Sequence, residues 1–441
     1  MNRDAASGDL VARDARCLWH PYTQHATDGT PLAVVAARGA TRTLADGREV
    51  IDAISSWWTC LHGHGEPRLL DAARRQGERL DHVAFAGATH EPAVALAEAL
   101  LAAAPRGTPP LTRVFFSDDG STAVEVALKI AFQAAAACGD SRRRKFLALE
   151  GSYHGDTFGA MSVGDREPFF APFAPLLFDV VRAPVDAAGF AAAFDRCHEE
   201  LAAVIVEPLV QGAAGMRMHG VELLRAVAAR CRAAGVPLVA DEVFTGFGRT
   251  GARFACAKAG VAPDLLCVAK GLTSAAAPLA ATLATEALFD AFRAPERRRM
   301  LAHGHSMTAH PIGCAVALES LALCRERDVP ARLDAIGTRI ERALAPLRHH
   351  PRVRDLRRCG GIVAFDLATA VPSAKAPTSA EPNGAVGYFT ALAPRLRARA
   401  LEQGVLLRPL GTAIYACPPA CTDDAQCDRI AAAMAALVEV A

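Results

Sequence analysis

The sequence carries almost no net charge. Its 48 Lys and Arg residues are matched by 47 Asp and Glu residues, which leaves a formal charge of +1 at pH 7. Such a chain has no general electrostatic field to attract nucleic acid or an anionic membrane surface. We therefore expect neither as a partner, and chemistry on small molecules becomes the default class of function.

Long apolar runs and paired cysteines are lacking too. No uncharged apolar stretch is long enough to cross a bilayer, and residues 1–19 carry acids where a signal peptide needs an apolar core. The thirteen cysteines are scattered without a Cys-x-x-Cys pair, the nearest approach being Cys417 and Cys421. This pattern indicates free thiols in a reducing compartment, so we expect a cytoplasmic protein.

The most informative stretch covers residues 236–273. Two apolar runs, VPLVA and LLCVA, end in Asp241 and Lys270. Short apolar runs bounded by Pro and Gly predict buried strands of a parallel sheet, and ligands of such sheets bind outside the carboxyl ends of the strands. We therefore expect both side chains to project into one crevice.

A lysine at the end of a buried strand loses solvation, which lowers its pKa and makes it a nucleophile able to form a Schiff base. A carboxylate beside it is what the ring nitrogen of pyridoxal phosphate requires. The ordinary alternative is that Lys270 reaches solvent and Asp241 caps a turn. These two residues alone leave both interpretations open.

The flanking residues favour the first interpretation. The run DEVFTGFGRTG, with AKGLT downstream, resembles the signature of the class III aminotransferases, which are pyridoxal phosphate (PLP) enzymes of the aspartate-aminotransferase fold, PLP fold type I. The resemblance implies that Asp241 pairs with the pyridine nitrogen and that Lys270 binds the cofactor covalently. It also implies a homodimer with the active site at the subunit interface.

A second motif joins a predicted strand, RVFFS, to a predicted helix, STAVEVALKIAFQAAAA. A Gly-containing turn into a helix N-terminus suits a phosphate, although a Ser at that place is usually only a cap. The resemblance assigns Gly120 and Ser121 to the cofactor phosphate. In GSYHGDTFGAMS it assigns Tyr153 to the pyridine face and Asp156 to a supporting acid.

The loop LAHGHSMTAH is expected, by the same resemblance, to reach across the dimer interface to the partner's cofactor. His305 and Ser306 are implied at the phosphate and Gly304 at the substrate. Many relatives carry Pro-Thr at this point, so the hydroxyl of Ser306 is kept while His305 is a departure.

Two aromatic motifs point to the substrate. WHPYT, with Tyr22, and SSWW, with Trp57, are similar to segments of the class III enzymes that form 7,8-diaminononanoate from 8-amino-7-oxononanoate in biotin synthesis. This resemblance implies substrate contacts for Tyr22, Trp57 and Tyr153, and a carboxylate contact for Arg408. Taken alone, Trp19 and Tyr22 would anchor a terminal segment, and Arg408 would be a surface charge. Of two adjacent Trp residues, one is expected to face a cavity, since successive strand positions face opposite ways.

Several alternatives stay open. An ω-amino acid:pyruvate aminotransferase would share the cofactor residues without needing WHPYT together with SSWW. By the same resemblance, relatives that act on ω-amino acids often carry a Glu after the Gln-Gly pair, and the Ala213 and Ala214 found there in this chain argue against a glutamate or ornithine half-reaction. A non-enzymatic cofactor-binding regulatory module is a further possibility, although no helix-turn-helix or basic extension precedes the core. The family's donor is S-adenosylmethionine, and lysine replaces it in some relatives.

The length of 441 residues predicts two or three structural domains. We expect residues 1–59 to be part of a small domain, residues 60–325 to form the large α/β cofactor domain, and residues 326–441 to complete a smaller α+β domain.

Local patterns predict an antiparallel meander over residues 31–54, an irregular segment over 13–25, an exposed loop over 368–387 and a strand pair around Arg408. No metal site is expected, because the two histidines of HGHGE lack a third ligand at a recognisable spacing.

Overall fold

The computed structural model describes residues 3–137, 139–166, 169–368 and 392–440. From residue 369 onward, the predicted loop at 368–387 lies outside the described residues. The strands are β1 (Val34–Arg38), β2 (Thr41–Leu44), β3 (Glu49–Asp52), β4 (Leu111–Ser117), β5 (Lys145–Leu149), β6 (Val180–Ala183), β7 (Leu201–Val206), β8 (Val210–Gln211), β9 (Arg217–Met218), β10 (Leu238–Asp241), β11 (Leu265–Val268), β12 (Ala280–Thr285), β13 (Val353–Cys359), β14 (Ile362–Leu367), β15 (Val405–Leu406) and β16 (Ala413–Ala416).

The helices are α1 (Arg3–Cys17), α2 (Ser55–Trp58), α3 (Pro67–Arg79), α4 (Glu91–Ala103), α5 (Gly120–Ala137), α6 (Phe158–Val163), α7 (Ala187–Asp195), α8 (Val221–Ala234), α9 (Ala255–Ala259), α10 (Glu286–Asp290), α11 (Pro311–Glu326), α12 (Val329–Leu344), α13 (Leu392–Glu402) and α14 (Asp424–Ala436). The short α2 is left-handed and is described with the site.

A seven-stranded sheet in the order β4-β12-β11-β10-β7-β5-β6 forms the centre of the fold. Strands β7, β10 and β11 are buried along their whole length, as continuous apolar runs require. The predicted parallel pairing of the two runs that end at Asp241 and Lys270 is confirmed, with Asp241 opposite Cys267. The sheet is mixed, because β12 runs antiparallel to both β11 and β4.

The predicted strand and helix around Gly120 are confirmed as β4 and α5. Eight side chains of α5 are buried, among them Val124, Leu128 and Ile130. Their three- and four-residue spacing places one apolar face of the helix against the sheet. This packing fixes the N-terminus of α5 near the strand ends.

The two ends of the chain build two smaller sheets, ordered β1-β2-β3-β15 and β13-β14-β16. The antiparallel meander predicted for residues 31–54 is confirmed by β1 to β3. The two strands predicted on either side of Arg408 are present as β15 and β16, but they do not pair with each other, since β15 pairs with β3 and β16 pairs with β14. Pro409 and Gly411 lie between β15 and β16, where the chain passes from one sheet to the other. The domain boundaries at residues 60 and 325 stay predictions.

The irregular segment predicted for residues 13–25 is wrong in its first part, because α1 continues to Cys17 and the amide of Leu18 still donates to Asp14 O at 2.9 Å. Trp19 is 91 % exposed and does not anchor the segment. The cysteines within the described ranges are all unpaired, and most are buried. None of the helices in these ranges is both long and apolar enough to cross a membrane.

The turn between β13 and β14 packs directly on the segment that follows Asp241. Gly360, at φ +58°, lies so close that an added Cβ would sit 2.2 Å from Thr250 C and Gly251 N. Real Cβ atoms do not approach backbone this closely, so only glycine fits. Gly235, at the end of α8, has nearly the same φ of +60°, and a Cβ added there would meet no atom of the described chain within 4 Å.

Substitutions at these two glycines distinguish the cost of backbone strain from the cost of a steric clash. We expect Gly235→Ala to lower the free energy of unfolding by about 1 kcal/mol, the cost of a left-handed non-glycine residue. Gly360→Ala should lower it by roughly 2–4 kcal/mol, because overpacking adds to the same strain. Urea unfolding of both variants measures the difference, and equal losses would contradict the close approach at Gly360.

Candidate active site

A cavity of about 630 Å³ opens at the carboxyl ends of the central strands. Six residues predicted from the sequence line it, namely Gly120, Ser121, Tyr153, Asp156, Asp241 and Lys270. A volume of this size lies within the usual range for small-molecule and cofactor sites. The expectation of one shared crevice for Asp241 and Lys270 is therefore met by the geometry.

Lys270 follows β11 and begins a short helical turn with φ +44°, a left-handed value that is unusual for a side chain of this size. Its Nζ lies 5.2 Å from the centre of a Trp58 ring. Burial lowers the pKa of Lys270, while the charges of Asp241 and Glu207 oppose the shift. The amine is therefore more nucleophilic at neutral pH than an exposed lysine.

Asp241 ends β10 and is only 5 % exposed. Its Oδ2 lies 2.7 Å from His154 Nδ1, and its Oδ1 accepts the amide of Val243 at 3.1 Å. Asp241 therefore does make the turn contact expected if it were only a capping residue, but this contact uses Oδ1 alone. The second oxygen and His154 form a buried pair, and within the described chain His154 Nε2 has no hydrogen-bond partner.

Glu207 is a site residue for which the sequence pattern predicted no role. It follows β7, is buried, and accepts the amides of Tyr153 and Gly212, both at 3.0 Å. Burial raises the pKa of Glu207 to about 7, against the opposing effect of His154. His154 was missed as well, although its place beside Tyr153 in a loop between two strands was the available signal.

The N-terminus of α5 faces the cavity through Gly120 and Ser121. The Ser121 hydroxyl accepts the amide of Thr157 at 2.9 Å and lies 2.8 Å from Thr157 Oγ1. The carboxylate of Asp119 accepts the amide of Thr122 at 3.0 Å and so caps the helix. The N-terminus of α5 is thus both capped by a side chain and open to a ligand in the cavity. The sequence alone could not distinguish a helix cap from a phosphate site, because both are present.

A row of aromatic side chains leads away from Lys270. Tyr22 Oη donates to Asp156 Oδ2 at 2.5 Å, and Tyr153 Oη donates to Asp156 Oδ1 at 3.0 Å. The ring of Tyr22 meets the ring of Trp57 edge-on at 5.6 Å, and the guanidinium of Arg408 lies 4.3 Å above a Trp57 ring. Tyr22 and Arg408 also line an adjoining hollow of about 480 Å³.

The SSWW motif forms one turn of left-handed helix, in which Ser55, Ser56, Trp57 and Trp58 have φ values of 49°, 51°, 71° and 74°. Left-handed conformation costs roughly 1–2 kcal/mol for each non-glycine residue, so such a run persists only where other contacts hold it. One of these contacts is the bond from Trp58 Nε1 to Tyr415 Oη at 3.0 Å.

The side chains of Trp57 and Trp58 point to different parts of the site. Trp58 lines the cavity beside Lys270, which agrees with the expectation that one of the pair faces a cavity. Trp57 packs instead against Tyr22 and Arg408. The alternation of strand positions on which that expectation rested is wrong, because the backbone here is a left-handed turn.

Gly304, His305 and Ser306 do not line this cavity within the described residues. His305 Nε2 lies 3.9 Å from Asp118 Oδ1, and Asp118 belongs to the cavity wall. The loop therefore lies at the rim of the cavity, and its role across a subunit interface stays a prediction. Nowhere in the described ranges do three or more His, Cys, Asp or Glu residues form a group that could hold a metal ion.

Comparison with known proteins identifies the family. The family model for class III aminotransferases matches residues 22–438. The chain belongs to the class III aminotransferases. The aspartate-aminotransferase fold predicted from the sequence, PLP fold type I, is thereby confirmed, and the enzymes of this family use PLP.

Individual relatives agree with this family. The aminotransferase is 46 % identical to an adenosylmethionine-8-amino-7-oxononanoate aminotransferase of Synechococcus elongatus, over 96 % of this chain and 98 % of the relative. A crystal structure of an enzyme with the same description from Methanocaldococcus jannaschii has a TM-score of 0.90 at 31 % identity, covering 98 % and 99 % of the two chains. An amine transaminase from an uncultivated Pseudomonas species, in PLP-bound form, has a TM-score of 0.86 at 29 % identity, covering 96 % and 98 %.

The opposite pKa shifts of two lysines give a direct test of the environment of the Lys270 amine. Lys270 has its pKa lowered by burial, whereas a hydrogen bond from Lys145 to Glu200 raises the pKa of that exposed lysine. Acetylation needs the neutral amine, so in the cofactor-free protein the rate at Lys270 should level off at lower pH than the rate at Lys145. Mass spectrometry after competitive labelling at a series of pH values measures both. Levelling at the same pH, or in the reverse order, would contradict the desolvated environment of Lys270.

Proposed function

We propose that this aminotransferase transfers the amino group of S-adenosylmethionine to 8-amino-7-oxononanoate and forms 7,8-diaminononanoate, with PLP as its cofactor. The observation that carries the proposal is the continuous row Tyr153, Tyr22, Trp57 and Arg408, which begins in the lining of the Lys270 cavity and ends in a cation outside that lining. The acceptor is a keto acid whose carboxylate lies at the far end of a carbon chain from its keto group. A cation at the far end of an apolar row matches that shape.

The residues of the cavity fit PLP. A nucleophilic lysine, a buried carboxylate, an aromatic ring at Tyr153 and a helix N-terminus at Gly120 and Ser121 surround one volume, and they match the aldehyde, ring nitrogen, ring face and phosphate of the cofactor. Both oxygens of the Asp241 carboxylate are held, one by His154 Nδ1 and one by the amide of Val243, and within the described chain the other ring nitrogen of His154 has no hydrogen-bond partner. When bound, PLP supplies an electron sink for negative charge at the substrate carbon.

The protein's own groups hold and move the protons. Lys270 would bind the cofactor, be released by the donor amine, and then carry a proton to and from the substrate carbon. Asp241, oriented by His154, would keep a positive charge at the ring nitrogen. The desolvated Lys270 suits this task because its amine is neutral in a larger fraction of molecules at neutral pH.

The remaining groups would orient the acceptor. Arg408 would bind its carboxylate in a two-pronged contact, and Trp57 with Tyr153 would shape an apolar slot for its chain. Tyr22, held by Asp156, would hydrogen-bond near the reacting end. Two small residues, Ala213 and Ala214, follow Gln211-Gly212, where many ω-amino acid enzymes carry a Glu. That difference argues against a glutamate or ornithine half-reaction.

We further propose a homodimer in which Gly304, His305 and Ser306 serve the partner's cofactor and substrate. The position of this loop at the rim beside Asp118, rather than inside its own cavity, supports the proposal. A cytoplasmic location, expected from the free thiols, also stays a prediction.

Separate half-reactions test the substrates. The PLP-loaded protein is mixed with one amino donor at a time, and the visible absorbance of the bound cofactor is followed. We expect S-adenosylmethionine to remove the absorbance and 8-amino-7-oxononanoate to restore it, whereas Lys270→Ala should never show the band. A response to lysine in place of S-adenosylmethionine would change the donor. A response only to β-alanine or another ω-amino acid would replace the proposed function.

Arg408 offers a second test, with Arg397 in the same hollow as its matched control. Arg408→Gln should raise KM for 8-amino-7-oxononanoate by roughly ten- to a hundredfold, the effect of losing a charged hydrogen bond. Arg397→Gln, which makes the same change at the other arginine of the hollow, should leave KM within about threefold. Steady-state kinetics measure KM for both variants. Equal increases in KM would argue against a specific carboxylate contact at Arg408.

A further inference from the structure

The left-handed SSWW turn rests on one buried carboxylate. Asp52 is fully buried, and its Oδ2 accepts the amide of Ser56 at 2.7 Å and Arg42 Nη2 at 2.9 Å. Its Oδ1 lies 3.3 Å from the amide of Ile54. A buried carboxylate is costly unless its oxygens are paired, so these donors and the turn depend on one another.

The third partner of Asp52 Oδ2 is His64, whose Nε2 lies 2.8 Å away. The other ring nitrogen, Nδ1, lies 3.6 Å from Cys60 Sγ. Asp52 comes before the turn and Cys60 comes after it, so a single imidazole contacts both ends of the strained segment. The backbone of His64 is itself fixed, because it exchanges hydrogen bonds of 2.8 and 2.9 Å with Gly39.

We propose that His64 is a positioning residue of the aminotransferase site: by joining Asp52 to Cys60 it holds the left-handed turn that presents Trp58 to the cavity and Trp57 to Arg408. Among the described residues, His64 itself is not part of the cavity lining, so it acts on the site through the turn. Its catalytic consequence rests on the proposed function, whereas its effect on the turn does not.

The proposal implies a dependence on pH. The groups that face the imidazole are the carboxylate of Asp52 and the thiol of Cys60, and Arg42 contacts the same carboxylate oxygen, Oδ2, as the imidazole does. The hydrogen bond to Asp52, followed by the one to Cys60, raises the pKa of His64 to about 9. A raised histidine pKa means that protonation stabilises the folded arrangement. The full contribution is present below the ordinary pKa of about 6.5 and is lost as the pH rises through about 9.

Tryptophan emission provides a readout that does not depend on any substrate. The chain has three Trp residues, and Trp19 is exposed, so a full-length Trp19→Phe chain reports on Trp57 and Trp58. Before cofactor is added, we expect its emission to change with a midpoint near pH 9, and we expect His64→Gln in the same background to abolish the transition. Lys270→Ala serves as the control, because Nζ of that lysine also lies near Trp58.

Kinetics of the PLP-loaded enzyme provide the second readout. His64→Leu should lower kcat/KM for the acceptor by roughly ten- to a hundredfold at neutral pH, because a displaced contact surface disturbs substrate orientation. His64→Gln, which can still donate to Asp52, should restore most of the loss and flatten the alkaline limb of the pH profile.

The emission and the kinetic experiments test different claims, so a negative result in one can be distinguished from a negative result in the other. An emission transition that persists in His64→Gln, or that disappears in Lys270→Ala, overturns the positioning role whatever the substrate is. An emission transition as expected, with no response to the acceptor in any variant, overturns the proposed function and leaves the positioning role standing. If His64→Leu does not fold, the comparison of His64→Gln with the parent chain still decides.

Discussion

The partial burial of an amine beside buried carboxylates is the constraint on which the rest of the site depends. Lys270, Asp241 and Glu207 lie at the ends of three neighbouring strands and line one cavity. Burial lowers the pKa of Lys270 and raises that of Glu207, while the attraction of nearby opposite charges limits both shifts. The two carboxylates therefore need fixed partners, which are His154 for Asp241 and the amides of Tyr153 and Gly212 for Glu207.

The same requirement explains how the two small sheets are joined to the central one. Arg249, in the segment that follows Asp241, is 1 % exposed and donates to the carbonyls of Trp58, Cys417 and Pro418. Through its two terminal nitrogens, which donate to these carbonyl oxygens, the buried guanidinium links the cofactor segment both to the SSWW turn and to the C-terminal region. The motif that identifies the family thus also carries the contact that supports the strained turn.

The elements that could be predicted from the sequence are those whose information is local. The apolar runs before Asp241 and Lys270 are buried strands because each is short, apolar and bounded by turn residues. The partners of β15 and β16 could not be predicted, because Val405 pairs with Ile51 across most of the chain. The left-handed turn was equally inaccessible. Ser-Ser-Trp-Trp contains no glycine, and only tertiary contacts impose positive φ on it.

The two histidines of HGHGE show why a local sequence pattern does not predict the protonation state of a side chain. In the sequence they are an equivalent pair, and the same missing third ligand argues against a metal for both. In the structure His62 is buried beside Ser320 at 3.1 Å, and burial lowers its pKa to about 4. His64, two residues on, meets the carboxylate of Asp52, which raises its pKa to about 9. At neutral pH His62 is therefore neutral and His64 protonated, because their partners differ. Ser320 is distant from His62 in the chain, and Asp52 lies on the other side of the SSWW turn from His64. Charge state, and with it function, is therefore a property of the folded neighbourhood rather than of the motif.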